Sequence, residues 1–178
     1  NDLDIMAGLG AQSVGTVCLE PDESRALDQF STLSNLVLER GMGLNFEFAP
    51  PHPLTNTIDK ALAFIARSGE NKARLLIDVM HYFRSGSTPT TLATIDPAMI
   101  AYVQLCDAFS CSEEDYYQES CFNRIIPGEG DLPLSEFMQQ LPDSVPVGLE
   151  VPVRDKIKSK EDLKSAISQI VAASRKYL

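Results

Sequence analysis

Four polar side chains stand where the surrounding sequence is otherwise apolar. Glu47 lies in N-F-E-F, Asp78 in L-I-D-V, Gln104 in Y-V-Q-L and Glu150 in G-L-E-V. Each sits near the C-terminal end of its run. A carboxylate among apolar neighbours is costly unless it is paired, hydrogen-bonded or bound to a metal. One such residue fits a salt bridge or a helix cap. Four at equivalent positions point to one shared site. Carboxylates with an amide oxygen form an all-oxygen donor set suited to Mn²⁺ or Mg²⁺, with Co²⁺ and Zn²⁺ also within its range.

Other residues are spaced to serve the same place. His81 follows Asp78 by three positions in D-V-M-H-Y-F-R-S-G, just beyond the run. With Arg84 beside it, it is expected to hold substrate or support the metal. His52, in A-P-P-H-P, is a further candidate. Arg124 opens R-I-I-P-G-E-G, in which Pro127, Gly128 and Gly130 build a rigid turn. A guanidinium entering such a turn can clamp a hydroxyl, a carboxylate or a phosphate. Asp107, three positions after Gln104, can orient that arginine or a substrate hydroxyl, and can equally act as a structural acceptor.

The elements that must carry these residues can be read from hydrophobic periodicity. Strands are expected at 13–19 (SVGTVCL), 43–48 (GLNFEF), 74–79 (RLLIDV), 100–106 (IAYVQLC) and 145–151 (VPVGLEV). The runs are too short for globular helices and rich in β-branched or large apolar residues. Continuous rather than alternating apolarity marks strands buried on both faces, as in a parallel sheet. Helices separate them. Residues 22–40 carry Leu27, Phe30, Leu33 and Val37 at helical spacing, with Gly41 as a C-cap. Ile58, Ala61, Leu62 and Ile65 form a second apolar stripe that ends at Gly69. Ser159 is an N-cap before a helix whose Leu163, Ala166, Ile167, Ile170 and Val171 make one apolar face. A shorter helix is expected over 134–141 and a turn over 96–99. The order is a βα repeat, interrupted by a long polar loop at 107–131, and loops of that length in a domain tend to be functional.

Composition narrows the partners. The chain has 178 residues, of which 44% are hydrophobic, which suffices for one domain spanning 1–178 with its own core. With 25 acidic against 15 basic side chains the net charge is −10, which opposes nucleic-acid binding through the phosphate backbone. No run reaches the roughly 18–20 apolar residues of a membrane span, and no secretory signal pattern opens the chain. The four cysteines, Cys18, Cys106, Cys111 and Cys121, have no CxxC spacing and read as reduced thiols of a cytoplasmic protein.

The segments E-F-A-P, D-V-M-H-Y-F-R-S-G, Y-V-Q-L-C-D-A, R-I-I-P-G-E-G and G-L-E-V-P resemble, in this order, the xylose isomerase-like barrel superfamily, the sugar phosphate isomerase/epimerase group. The resemblance implies an α/β fold, a (β/α)8 TIM barrel whose first three βα units are missing from this chain. It implies that Glu47, Asp78, Gln104 and Glu150 are the metal ligands and that His81 and Arg124 bind substrate. The expected activity is metal-dependent isomerisation or epimerisation of a keto sugar or polyol, with Glu47 and Glu150 moving the proton. Gln104 departs from the histidine usual in the epimerases and resembles the 3-dehydroshikimate dehydratase branch, so a dehydratase acting on a polyhydroxy-keto acid is the alternative. A non-catalytic remnant of the barrel is the third reading. The expected partner is a small carbohydrate or keto acid, without nucleic acid or membrane, and a homo-oligomer is compatible with the sequence.

Overall fold

Each of the five expected apolar runs forms a strand. The computed structural model describes residues 1–70, 72–111 and 115–178. The strands are β1 (Ser13–Val17), β2 (Gly43–Glu47), β3 (Arg74–Asp78), β4 (Ile100–Leu105) and β5 (Val147–Leu149). They lie in one sheet in the order β1-β2-β3-β4-β5, and the pairings β1 with β2, β2 with β3 and β4 with β5 are parallel. Chain order and spatial order coincide because helices return the chain to the same end of the sheet before each new strand. The α/β class and the partial parallel barrel expected from the sequence are therefore what forms. Strand β5 is shorter than the expected 145–151. Pro146 and Pro152 flank it and cannot donate a backbone N–H, although Val103 N still donates to Pro146 O at 3.0 Å and Glu150 N to Leu105 O at 3.1 Å.

By contacts the chain forms two compact units, Asn1–Ile77 with Asp96–Tyr102, and Asp78–Ile95 with Val103–Leu178. The first unit holds α1 (Asp2–Gly8), α2 (Glu23–Leu38) and α3 (Ile58–Ser68). Asp22 caps α2 by accepting from Arg25 N, and Thr57 caps α3 by accepting from Lys60 N. Gly69, with φ of 77°, ends α3 in the left-handed conformation that a side chain would resist. Helix α2 buries Ala26, Phe30, Ser34 and Val37, and α3 buries Ile58, Ala61, Phe64 and Ile65. Phe46 of β2 meets both. Its ring stacks on Phe64 at 5.1 Å and receives Phe30 edge-on at 5.2 Å. Such offset and edge contacts add about 0.5–1.5 kcal/mol per pair beyond area burial. The two serines that α2 turns inward, Ser31 and Ser34, donate to the Glu70 carboxylate at 2.8 and 2.6 Å.

The second unit holds α4 (Val79–Arg84), α5 (Pro89–Leu92), α6 (Tyr116–Phe122), α7 (Leu134–Met138) and α8 (Lys160–Ser174). Tyr82 and Phe83 of α4 pack on Phe137 of α7 at 5.2 and 5.7 Å. Ala166 and Ile170 of α8 pack with Ile126 and Val153. The apolar face of α8 is narrower than the sequence suggested. Ala166, Ile170 and Ser174 are buried at four-residue spacing, whereas Leu163, Ile167 and Val171 are 47%, 52% and 37% exposed. The unit covers one stripe of the helix and leaves the adjacent one to solvent. The helix expected over 134–141 stops at Met138, and the turn at 96–99 is a 3₁₀ turn over Pro97–Met99. Within the loop read at 107–131, residues 112–114 lie outside the described residues, and α6 is a helix the sequence did not announce. Among the described residues no helix is long and apolar enough to cross a membrane.

Candidate active site

Asp78 is the last residue of β3 and the N-cap of α4, and this double placement decides its chemistry. As N-cap its Oδ1 accepts from His81 N at 2.8 Å. Both of its oxygens also accept from Arg124 Nη1, at 3.0 and 2.9 Å, and both side chains are fully buried. Burial opposes the charge on Asp78. The Arg124 charge, with the hydrogen bonds from Arg124 and the His81 backbone N–H, outweighs burial and holds its carboxyl below the ordinary value. Arg124 carries the permanent charge of the two. Burial lowers its basicity too, but the Asp78 carboxylate, with Glu150 behind it, acts more strongly and keeps it charged.

Arg124 is itself held on every side. Its backbone N donates to Pro152 O at 2.8 Å, its Nε to Ser120 O at 2.8 Å and its Nη2 to Ser120 Oγ at 3.3 Å. Nη1 also reaches Cys106 Sγ at 2.9 Å, and that thiol lies 3.9 Å from Asp78 Oδ2. Burial, then the Asp78 carboxylate, push the Cys106 thiol far above its usual range, so it stays protonated and unreactive. His81 Nδ1 is 2.7 Å from the Tyr116 hydroxyl and 3.4 Å from Asp78 Oδ1, and its ring stacks on Tyr116 at 5.7 Å. Burial keeps the His81 ring neutral against the pull of Asp78.

Glu150 and Gln104 close the same place from β5 and β4. Gln104 pairs with Gly148 in the parallel register, so Glu150, two residues further on, projects from the face that carries Gln104. Glu150 meets the Asp78 carboxyl. Burial first, then Asp78 beside it, push the Glu150 carboxyl up to about 7, with Arg124 opposing. Gln104 Oε1 and Glu150 Oε2 are buried and have no hydrogen-bond partner among the described residues. Buried oxygens without donors are rare, and they fit a cation better than they fit the interior of a protein. Among the described residues no group of three or more His, Cys, Asp or Glu side chains is arranged to hold a metal ion, a set in which the glutamine amide does not count. The second unit thus brings together Asp78, His81, Gln104, Arg124 and Glu150. Glu47, half-buried at the end of β2, belongs to the first unit, where it pairs with Val17 and Leu76.

Three other sequence candidates make contacts that also organise the fold around them. The Asp107 carboxylate accepts from the backbone N–H groups of Ala108, Gly128, Gly130 and Leu132 at 2.8, 2.9, 3.1 and 3.3 Å. It pins the P-G-E-G turn, the structural alternative open in the sequence. Gly130 is needed there, since a Cβ would fall 2.5 Å from Asp107 Oδ1 and 2.6 Å from Ala108 O. Arg84 pairs with Glu119 at 2.7 Å and donates to Ser110 O at 2.7 Å. In the first unit, His52 Nδ1 faces Leu54 N at 3.3 Å and Thr55 Oγ1 at 3.2 Å, organising its own loop. Sequence reasoning missed Cys106, Tyr116, Glu119 and Ser120. An N-cap aspartate before a short helix, D-Y-Y-Q-E-S, is the local pattern that carries the last three, too weak by itself to announce them.

The family model of the xylose isomerase-like TIM barrel matches residues 4–173. Solved structures share the fold at low identity. A xylose isomerase-like TIM barrel/4-hydroxyphenylpyruvate dioxygenase fusion protein is 18% identical, with a TM-score of 0.78, over 99% of this chain and 30% of its own. An IolI protein with a binding zinc atom is 20% identical, with a TM-score of 0.77, over 99% of this chain and 68% of its own. A D-psicose 3-epimerase, solved in the presence of D-fructose, is 15% identical, with a TM-score of 0.72, over 99% and 68%. The chain therefore spans less than a third of the first and about two thirds of the others. No curated protein matches it.

Proposed function

The chain belongs to the xylose isomerase-like TIM barrel family, and from that premise we propose that it carries the catalytic part of a divalent-metal-dependent sugar isomerase or epimerase. The substrate class is a keto sugar or polyol. The observation that carries the proposal is the half-buried Glu150 carboxyl against the buried Asp78 carboxyl, on the sheet face that carries Gln104, with one buried oxygen each of Gln104 and Glu150 left without a donor among the described residues. Asp78, Gln104 and Glu150 would hold the cation, with Mn²⁺ or Mg²⁺ preferred by an all-oxygen set. Glu47 joins them on the strength of the E-F-A-P resemblance. When bound, the cation would polarise a substrate carbonyl and its neighbouring hydroxyl.

The protein's own groups then handle the proton. Glu150 would remove the proton, acting as the general base for a carbon acid. Glu47 is the partner that returns it. Asp78, held ionised, keeps negative charge in place, and His81, its ring kept neutral by burial, would meet a substrate oxygen without adding charge. Arg124, at the same place, would meet a substrate hydroxyl.

Gln104 favours one second reading, the dehydratase, in which the same proton abstraction is followed by loss of a β-hydroxyl. The full chain with Mn²⁺ is offered a panel of keto sugars and 3-dehydroshikimate. Exchange of solvent deuterium into a sugar supports the epimerase, and a new conjugated absorbance supports the dehydratase. In parallel, Mn²⁺ is titrated calorimetrically. Glu150→Gln is expected to weaken binding at least tenfold, and binding unchanged in that variant sinks the site.

A further inference from the structure

Tyr116, Glu119 and Ser120 occupy positions i, i+3 and i+4 of α6, so they share one face of that helix. Each holds a different candidate substrate-binding side chain. The Tyr116 hydroxyl lies 2.7 Å from His81 Nδ1, and the two rings stack. Glu119, itself buried, pairs with Arg84 at 2.7 Å. Ser120 takes two hydrogen bonds from Arg124, through its carbonyl at 2.8 Å and its hydroxyl at 3.3 Å. His81 and Arg84 stand on α4, and Arg124 stands between α6 and β5, so this face of α6 ties α4 to the Arg124 segment.

We infer that this face of α6 is the positioning and specificity element of the site, setting the geometry of His81, Arg84 and Arg124 toward a polyhydroxylated substrate. The inference rests on the proposed function for what those side chains bind. Tyr116, Glu119 and Ser120 themselves are positioning residues. They lie in the long loop, where sequence change least disturbs the sheet, so altering this face alters substrate fit while leaving the carboxylates of the strand ends in place. A side chain held by one added hydrogen bond loses on the order of 0.5–1.5 kcal/mol of net interaction when that bond goes. Spread evenly over ground and transition states, such a loss raises KM by about two- to tenfold and leaves kcat nearly unchanged.

Histidine NMR tests the physical part without any turnover. The chain has 2 histidines, so the ¹⁵N ring signals of His81 are assigned by comparison with His52→Gln. In the full chain carrying Tyr116→Phe, which keeps the stack and removes the hydroxyl, the His81 ring signals are expected to move while those of His52 stay. Unmoved His81 signals overturn the inference. So does movement of both histidines together, which would mark a general loss of structure. Kinetics with D-fructose as the keto sugar form the second arm, on Tyr116→Phe and Glu119→Gln. A two- to tenfold rise in KM at similar kcat supports positioning, and a fall in kcat at unchanged KM overturns it. Moved His81 signals in a protein that turns over neither a keto sugar nor 3-dehydroshikimate would refute the proposed function and uphold the role of Tyr116.

Discussion

Arg124→Gln offers the sharpest physical test. It removes a permanent positive charge hydrogen-bonded to Asp78, whose two oxygens receive Arg124 Nη1 at 3.0 and 2.9 Å in a fully buried setting. Glutamine keeps an amide donor but cannot balance the carboxylate. Breaking a buried pair by deleting one partner costs about 3–5 kcal/mol, because the remaining charge stays buried without its counterion. The lost contacts to Ser120 and Cys106 act in the same direction. For a chain of this length each kcal/mol corresponds to about 2–4 °C in Tm, so a fall of roughly 6–20 °C is expected in metal-free buffer. Urea titration of both proteins supplies the free energy directly. The pairing itself is isolated by the double variant Asp78→Asn with Arg124→Gln, which is expected to recover part of the loss, since no unpaired carboxylate remains. A loss below about 1 kcal/mol for Arg124→Gln, or a double variant no better than the single, would refute the claim that this ion pair is what makes a buried Asp78 tolerable.

Two further outcomes follow from the same geometry. The folded state raises the Glu150 carboxyl from 4.5 to about 7, so it binds a proton that the unfolded chain releases. The Glu150 contribution to the stability of the metal-free protein should therefore fall as pH rises from about 4.5 through 7. Glu150→Gln, which cannot ionise, should flatten that part of the Tm profile, and parallel profiles for the two proteins would contradict the shift. Gly130→Ala places a Cβ 2.5 Å from Asp107 Oδ1 and should force the carboxylate away from the turn it pins. A cost of about 1–3 kcal/mol by urea titration is expected, as for other overpacked sites, with amide exchange quickened at Gly128 and Leu132.

The sequence alone sufficed for the frame. Five apolar runs, four of them with a polar residue near the C-terminal end, separated by helical stripes at 3.6 spacing, define parallel strands and the residues expected at their C-terminal ends, because burial and periodicity are local properties of the chain. Asp78, Gln104 and Glu150 were legible as exceptions to that pattern. What they do was not. Whether Asp78 faces a cation or a guanidinium depends on Arg124, 46 residues away in sequence. That Asp107 pins a turn depends on the amides of Gly128, Gly130 and Leu132, and that α8 leaves Leu163, Ile167 and Val171 exposed depends on what packs beside it. The separation of two neighbouring carboxyls into one held ionised and one poised near 7 likewise belongs to the tertiary structure. Coulomb energies and desolvation depend on distances of a few ångströms across the fold, and a linear pattern of residue types carries no such distances.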